Sequence, residues 1–123
     1  MTGDTDDRIP VVVAPSGRLD AAAAPALKQA LAGALGGEAP LVIVSMADAS
    51  YASSAALRVL LAAHKQAQRG GGRMIICCLQ PQVQSVLHMV GFDQVLTVTG
   101  TLAEAQQSLR SPKPPTTTGK GQP

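Results

Sequence analysis

The apolar residues of this chain fall into short continuous runs that alternate with longer segments of helical periodicity. The runs are rich in valine, isoleucine and leucine, which predicts buried β-strands. They occupy residues 9–14, 41–46, 73–79 and 94–98. Pro15-Ser16 interrupts the first run, and the segment from Gly17 to Leu19 is expected to continue the sheet beyond that break.

Helices are predicted between the strands, because apolar positions recur there on one helical face. The inward stripes are Leu27, Ala30, Leu31, Ala34 and Leu35 in the first helix, Leu57, Leu60, Leu61 and His64 in the second, and Val83, Val86, Leu87 and Val90 in the third. Asp20 is placed to cap the first helix. Thr101 and Glu104 have the spacing of a capping box, which opens a fourth helix that ends near Arg110. Strands alternating with helices predict an α/β domain, with the helices mainly on one face of a small sheet of about four or five strands.

Length and composition fit one small domain. The chain has 123 residues, and 46% of them are hydrophobic, which is enough for a single core. We expect the domain to span residues 9–110, between a flexible N-terminus at 1–8 and a disordered tail rich in proline, threonine and glycine at 111–123. No apolar run reaches the length of a membrane span, and the acidic N-terminus lacks the core of a signal peptide. We therefore expect a cytoplasmic protein without membrane insertion.

The charges argue against direct nucleic-acid binding. The net charge is only +2, and the basic residues are dispersed rather than arranged in a stripe. Tyr51 and Phe92 are the only aromatic residues, so the chain offers no platform on which bases could stack. Any role in transcription is therefore expected to act through a protein partner.

Two adjacent cysteines, Cys77 and Cys78, lie in the third long apolar run. Neighbouring residues of a strand point to opposite faces, so we expect the two thiols to be separated by the sheet. We also expect both to be reduced, because a disulfide between neighbours is strained and thiols stay reduced in the cytosol. Their spacing does not match that of a metal site.

No residue pattern in the chain indicates catalysis. His64 falls on the inward face of the second helix and His88 lies beside Val86 and Leu87, so we interpret each as a structural or surface residue. No serine stands in a nucleophile-elbow motif, and the acidic residues are scattered. We therefore expect no catalytic residue, no cofactor and no metal, and we predict that the protein is not an enzyme.

Ser53 and Ser54 stand where the second predicted helix begins, directly after a loop that follows the strand at 41–46. Serine is a favoured N-cap, which contributes about 1 kcal/mol, so capping alone accounts for one of them. A helix N-terminus also carries about half a positive charge and therefore tolerates a phosphoryl group. The same position is thus suited to regulation by phosphorylation.

Five segments, in order, resemble the STAS-domain anti-sigma factor antagonists, and the resemblance extends over nearly all of residues 9–110. The segments are Gly17-Arg18-Leu19-Asp20, Ser53-Ser54-Ala55-Ala56-Leu57-Arg58-Val59-Leu60-Leu61, Arg69-Gly70-Gly71-Gly72-Arg73, Leu79-Gln80-Pro81-Gln82-Val83 and Gly91-Phe92-Asp93-Gln94-Val95. No single segment is specific, but the order and spacing together are. The resemblance implies a mixed sheet with a parallel centre.

The resemblance also implies a switch in which the protein binds an anti-sigma factor and thereby frees a sigma factor. The partner it implies is a serine kinase of the histidine-kinase-like ATPase type, which ends the binding by phosphorylation, and a phosphatase is a candidate further partner. Alignment on Leu57 to Leu61 assigns the acceptor to Ser54, with Ser53 as the alternative. The implied partner-binding residues are Asp20, Ser53, Ser54, Ala56 and Arg58.

The chain departs from the family pattern around this serine. Ala56 replaces a glycine, and its extra methyl group could obstruct the close approach of a partner. Relatives often have acidic residues at the positions of Ser45, Ser50 and Ser53. Their absence reduces the repulsion against a phosphate on Ser54. It also removes carboxylates that a kinase could recognise. Two alternatives therefore stay open. One is a STAS binding or scaffold module that is never phosphorylated, within a signalling or transport assembly, and the other is a small enzyme.

Overall fold

The computed structural model of the protein describes residues 9–110. The segments 1–8 and 111–123, expected to be flexible, lie outside the described residues. In chain order the elements are β1 (Val11–Val13), β2 (Gly17–Leu19), α1 (Ala24–Ala34), β3 (Leu41–Ser45), β4 (Ala49–Ala52), α2 (Ser54–Arg69), β5 (Arg73–Cys77), α3 (Pro81–Met89), a 3-10 turn (Phe92–Gln94), β6 (Val98–Thr99) and α4 (Leu102–Arg110).

The strands form two parallel sheets. The larger has four strands in the order β1-β3-β5-β6, and β2 and β4 pair with each other in a second sheet. Every strand pair in the described part of the chain is parallel. Parallel neighbours need a crossover connection, which α1, α2 and α3 supply. The predicted α/β class and the parallel centre of the sheet are therefore confirmed, but the one sheet of about four or five strands that was expected is divided into sheets of four and two strands.

At the predicted break after the first strand, the chain leaves the larger sheet and enters the smaller one. Val13 pairs with Val44 in the larger sheet, whereas Leu19 pairs with Ala52 in the smaller one. Pro15 has no N–H to donate to a ladder, and the positive φ of 77° at Gly17 turns the backbone. As a result, the end of β2 lies beside the start of α2.

The helices pack on both faces of the larger sheet, with three of the four on the same face. Along β3, Val42 and Val44 face α1, α2 and α3, and Leu41 and Ile43 face α4. All four side chains are at most 7% exposed. A parallel strand covered on both faces reads as one continuous apolar run, as this one does. The helices contribute to this core Leu27, Leu31 and Leu35 from α1, Leu57, Leu60 and Ala63 from α2, Val83 and Leu87 from α3, and Ala105 and Leu109 from α4.

Two strand predictions were wrong. The segment before Ser53, which was expected to be a loop, is strand β4. Its sequence, Ala-Ser-Tyr-Ala, has no β-branched residue and therefore gives no local strand signal. The segment is extended because it pairs with β2. The strand expected at 94–98 is reduced to Val98–Thr99. Gly91, with φ of 80°, instead leads into the 3-10 turn, so Val95 is 48% exposed.

The helix predictions were largely confirmed, with three corrections. Val90, expected to face inward, lies just past the end of α3 and is 49% exposed, and Ala30 in α1 is also exposed. Asp20 caps the turn before α1 rather than the helix itself: its Oδ1 accepts from the Ala23 N–H at 3.0 Å, and α1 begins one residue later.

The predicted capping box before α4 is present. The Thr101 hydroxyl accepts from the Glu104 N–H at 3.1 Å, and the Glu104 carboxylate accepts from the Thr101 N–H at 3.2 Å. This reciprocal pair satisfies two N–H groups that would otherwise lack a partner in the first turn of the helix.

The expectation that Cys77 and Cys78 point to opposite faces was wrong. Strand β5 ends at Cys77, and Cys78 has a positive φ of 64°. This turn of the backbone brings the two Sγ atoms to 3.4 Å on the same side. Both cysteines are free, as predicted.

The turn between α2 and β5 depends on a close backbone approach. Gly72 is buried, and a Cβ at this position would collide with the backbone carbonyl and nitrogen of Pro40. A Cβ at Gly70, two residues earlier, would make only ordinary contacts, the nearest being Pro40 Cδ at 3.5 Å. The two glycines therefore provide a matched pair.

Gly72→Ala should lower the free energy of unfolding by about 3 kcal/mol or more, because backbone atoms cannot yield as a side chain does. In a domain of this size that loss lowers Tm by more than roughly 10 °C. Gly70→Ala should stay within about 1 kcal/mol of the parent protein. Urea and thermal unfolding of the two variants measure both values, and equal effects would contradict the assigned approach of Gly72 to Pro40.

The inward position predicted for His64 is confirmed, since its side chain is only 5% exposed. Burial lowers the pKa of His64 from its usual value of 6.5, and this effect outweighs a hydrogen bond with the Met74 backbone that acts in the opposite direction. Folding therefore favours the neutral imidazole.

The stability of the protein should therefore depend on pH through His64. The unfolded chain takes up the proton near pH 6.5, whereas the folded chain resists it, so stability is full above that pH and falls as the pH drops toward the lowered pKa. Urea unfolding between about pH 7.5 and 5.5 should show this slope in the parent protein and in His88→Gln, and lose most of it in His64→Gln. A slope that persists in His64→Gln would show that another group carries it.

Candidate partner-binding site

The two serines at the start of α2 have different roles. Ser53 is the N-cap, with extended backbone angles of φ −78° and ψ 168°, and its Oγ accepts from the Ala56 N–H at 3.2 Å. Ser54 is the first helical residue, and its side chain is exposed. One hydroxyl is therefore used by the helix, while the other faces solvent at the positive end of the helix dipole.

The position of the helix start is fixed from outside the helix. The Ser53 N–H donates to the Leu19 carbonyl at 2.8 Å, which ties the end of β4 to the end of β2. One register position back, the Arg18 guanidinium lies over the ring of Tyr51, 4.4 Å from its centre. Such a contact is worth about 0.5–1 kcal/mol at an exposed site. It holds a charged and an aromatic side chain together beside the serines.

Two glutamines at the start of α3 hold the segment that leads into β4. The Gln80 side-chain amide donates to the Ala47 carbonyl at 2.8 Å, and that of Gln82 donates to the Ser50 carbonyl at 3.1 Å. The Gln82 amide also donates to the Gln80 side-chain oxygen at 2.9 Å. Side chains of one helix thus support the backbone that delivers Ser53 to α2.

The predicted site residues are brought together only in part. Asp20 follows Leu19 directly, so it lies beside Ser53 and Ser54, although its carboxylate is engaged with the Ala23 N–H. Ala56 does not face outward as expected, because its side chain is fully buried and packs in the core below the helix. Its methyl group therefore cannot contact or obstruct a partner.

Arg58 is exposed one turn further along α2. It lines a groove of about 280 Å³ between α1 and α2, together with Lys28 and Gln66. The other lining residues are Leu31, Ala32, Leu35, Val59, Ala62 and Ala63. Arg58 thus belongs to the same helix as Ser54 but to the neighbouring groove, so the candidate surface extends along α2.

The helix end at Ser54 favours an anion, whereas the nearby Asp20 carboxylate opposes one. The first turn of α2 contains no acidic residue, and its dipole presents partial positive charge. Ser50, which is exposed, and Ser45, which is half-buried, carry no carboxylate. An exposed primary alcohol in this field can accept a phosphoryl group with little electrostatic cost to the fold.

Sequence reasoning did not identify the Arg18–Tyr51 pair or the two supporting glutamines. The contact between Arg18 and Tyr51 depends on the register of β2 against β4, which no local pattern encodes. Gln80 and Gln82 carried only a weak signal, namely two amides on either side of the helix-starting Pro81.

Within residues 9–110, no group of three or more histidine, cysteine, aspartate or glutamate side chains is arranged to hold a metal ion. None of the helices in that range is long and apolar enough to span a membrane.

Comparison with known proteins assigns the chain to a family. The sequence profile of the STAS domain matches residues 3–105. The chain is 30% identical over 73 residues to the Bordetella bronchiseptica protein BtrV, which bears the name of an anti-sigma factor antagonist. That match covers 59% of this chain and 63% of BtrV, a little under two thirds of its length.

Solved structures share the fold. An anti-sigma factor antagonist from Mycobacterium paratuberculosis has a TM-score of 0.73 at 24% identity, over 85% of this chain and 90% of that one. The Bacillus cell fate determinant SpoIIAA in its phosphorylated form has a TM-score of 0.60 at 21% identity, over 80% of this chain and 89% of that one. Because the profile match covers most of the sequence and the folds agree, the chain belongs to the STAS domain family.

Proposed function

We propose that this protein is an anti-sigma factor antagonist of the cytoplasm. It binds an anti-sigma factor that is also a serine kinase of the histidine-kinase-like ATPase type, and phosphorylation of Ser54 ends that binding. Regulation of sigma-dependent transcription follows from the exchange of partners, and a phosphatase would restore the binding form. The observation that carries the proposal is the exposed Ser54 at the head of α2, beside a serine whose hydroxyl is already used.

The geometry favours Ser54 over Ser53 as the acceptor. The Ser53 hydroxyl is half-buried and accepts the Ala56 N–H, so a kinase would have to break the cap to reach it. Ser54 needs no such rearrangement because its side chain is exposed. The resemblance on Leu57 to Leu61 and the exposure of the Ser54 side chain therefore both support Ser54 as the proposed acceptor.

A phosphate on Ser54 would leave the fold intact but change the surface. It adds roughly −1.5 to −2 charges at neutral pH, which the N-terminal end of α2 stabilises. A partner docked over this position would have to bury that charge, at a cost of several kcal/mol if it is left unpaired. Moving a complex from 99% to 1% bound takes about 5.5 kcal/mol, which is within reach of a dianion.

The docking surface in this proposal comprises Asp20, Ser53, Ser54 and Arg58, with the Arg18–Tyr51 pair at its edge. Tyr51 is 38% exposed, and the guanidinium above its ring partly orders the side chain, which reduces the entropy lost when a partner covers it. Aromatic and arginine side chains are also the residues that most often dominate interface energies. We therefore expect Tyr51→Ala to weaken partner binding as well.

The two serines should differ in their effect on stability. Ser53→Ala removes the cap of α2 and should lower the free energy of unfolding by about 1 kcal/mol, which corresponds to roughly 4–8 °C in Tm. Ser54→Ala removes an exposed hydroxyl and should change stability by less than about 0.5 kcal/mol. Thermal unfolding of the two single variants measures the difference, and a larger loss for Ser54→Ala would reverse the assigned roles.

The kinase reaction should depend on Ser54 and not on Ser53, the reverse of what is expected for stability. After incubation with ATP and the anti-sigma factor kinase that binds the unmodified chain, the parent protein and Ser53→Ala should each gain one phosphate, mapped to Ser54. Ser54→Ala should bind the kinase and gain none. The affinity of Ser54→Asp for the kinase should lie between that of Ser54→Ala, which binds more tightly, and that of the phosphorylated chain, which binds more weakly. The reason is that one carboxylate carries less charge than a phosphate. Intact mass, site mapping and calorimetric titration give the three readouts.

Three outcomes would contradict parts of this proposal. Phosphate mapped to Ser53 would show that the acceptor is the capping serine. A kinase that binds tightly but modifies neither serine would favour a STAS scaffold module that is not switched by phosphorylation. Failure of the chain to bind any anti-sigma factor of its own genome would contradict the antagonist function itself.

A further inference from the structure

The only two cysteines of the chain lie side by side in an unusual backbone conformation. Cys77 is the last residue of β5, and Cys78 follows with a φ of 64°. Their Sγ atoms are 3.4 Å apart, whereas consecutive side chains in a continuing strand would point away from each other. Positive φ values are costly for residues with a side chain, and where they persist they often mark functional sites.

The two thiols differ in access and in reactivity. Cys77 is fully buried beneath α4, next to Ile75 and Leu109. Burial, together with a hydrogen bond that the Cys77 thiol shares with the Cys78 sulfur, raises the pKa of Cys77 to about 12, so it stays protonated at neutral pH. Cys78 is half-buried and packs against the edge of the same cluster. A small oxidant from solvent therefore meets Cys78 first.

We propose that Cys77 and Cys78 form a redox modification site, in which a hydroperoxide drives reversible closure of a disulfide between the two neighbouring residues. In the first step the Cys78 thiol gives up its proton as its Sγ attacks the peroxide, and the O–O bond breaks. Cys78 becomes a sulfenic acid, and the leaving oxygen takes the thiol proton and departs as water or an alcohol. In the second step Cys77 Sγ attacks Cys78 Sγ and the S–O bond breaks. The hydroxide leaves with the Cys77 proton as water, so two thiols are oxidised and one peroxide is reduced.

The geometry makes the bond accessible but readily reduced. Ring closure has to bring the sulfurs from 3.4 Å to about 2.05 Å, a short movement for side chains already on the same side. The Cα atoms of adjacent residues are only about 3.8 Å apart, below the usual range of about 4.4–6.8 Å for disulfides. A strained disulfide has a higher reduction potential, which is typical of labile and regulatory bonds rather than structural ones.

The thiol pair is connected to the segment that supports the docking surface. Cys78 stands two residues before Gln80, whose side chain donates to the Ala47 carbonyl. The Cys77 carbonyl accepts from the Met46 N–H at 2.9 Å. Closing the ring changes the backbone at Cys78, so the effect should reach residues 46–50 through these two hydrogen bonds. Ser54 takes no part in the reaction, so this inference stands independently of the proposed kinase switch.

Oxidation of the full chain with hydrogen peroxide tests the proposal. Apart from oxygen added at exposed methionines such as Met89, the intact mass should fall by two hydrogen atoms. The free thiols of the denatured protein should fall from two per chain to none. Dithiothreitol should restore both values. The chain has no other cysteine, so an intramolecular disulfide can only join these residues. Hydrogen exchange at residues 46–50 should increase in the oxidised form and return to its original level on reduction.

Single variants separate the two steps. Cys77→Ala should stop at the Cys78 sulfenic acid, which dimedone traps, and Cys78→Ala should react at least tenfold more slowly because its remaining thiol is buried. Far-UV circular dichroism confirms that each variant is folded. A parent protein that accumulates sulfinic acid, or that forms disulfide-linked dimers on a non-reducing gel instead of losing two hydrogens, would overturn the proposal.

Discussion

The hydrogen bond from the Ser53 N–H to the Leu19 carbonyl fixes where α2 begins, and the candidate site depends on it. The bond exists because the first apolar segment leaves the larger sheet at Pro15 and continues as β2, parallel to β4. Without this change of partner, the segment after β3 would have no strand to pair with and the N-terminus of α2 would be held only by its own helix. A capped helix end fixed on a sheet edge is a rigid place for a regulatory serine.

Because the start of α2 is fixed, the two adjacent serines differ in what their hydroxyl groups do. Ser53 contributes its hydroxyl to the first turn, and Ser54 keeps its own exposed. The fully buried Ala56 shows that the replacement of the family glycine affects the core side of α2, where a methyl group adds helix propensity and packing. This one departure from the family motif therefore leaves the proposed partner surface unchanged.

The ends of the parallel strands collect the chemically distinctive groups of this domain. Ser53 and Ser54 follow β4, Gln80 supports the preceding segment from the start of α3, and the thiol pair stands where β5 ends. In parallel sheets the carboxyl ends of the strands lie on one side, where loops are free to vary without disturbing the core. The proposed acceptor serine and the proposed redox pair thus each follow the carboxyl end of a parallel strand, β4 in one sheet and β5 in the other.

The sequence by itself determined the α/β class, the buried strands at β3 and β5, the inward faces of the helices, the capping box at Thr101 and Glu104, and the serine pair at the start of α2. These features follow from local signals, since periodicity, caps and continuous apolar runs act within a few residues. Only the tertiary structure decided the pairing of β2 with β4, the contact of Arg18 with Tyr51 and which of the two serines caps α2. It also brought Cys77 and Cys78 to the same side, against the alternation that a strand imposes. Strand pairing and a single positive φ depend on residues distant in the chain, which is why no local pattern encodes them.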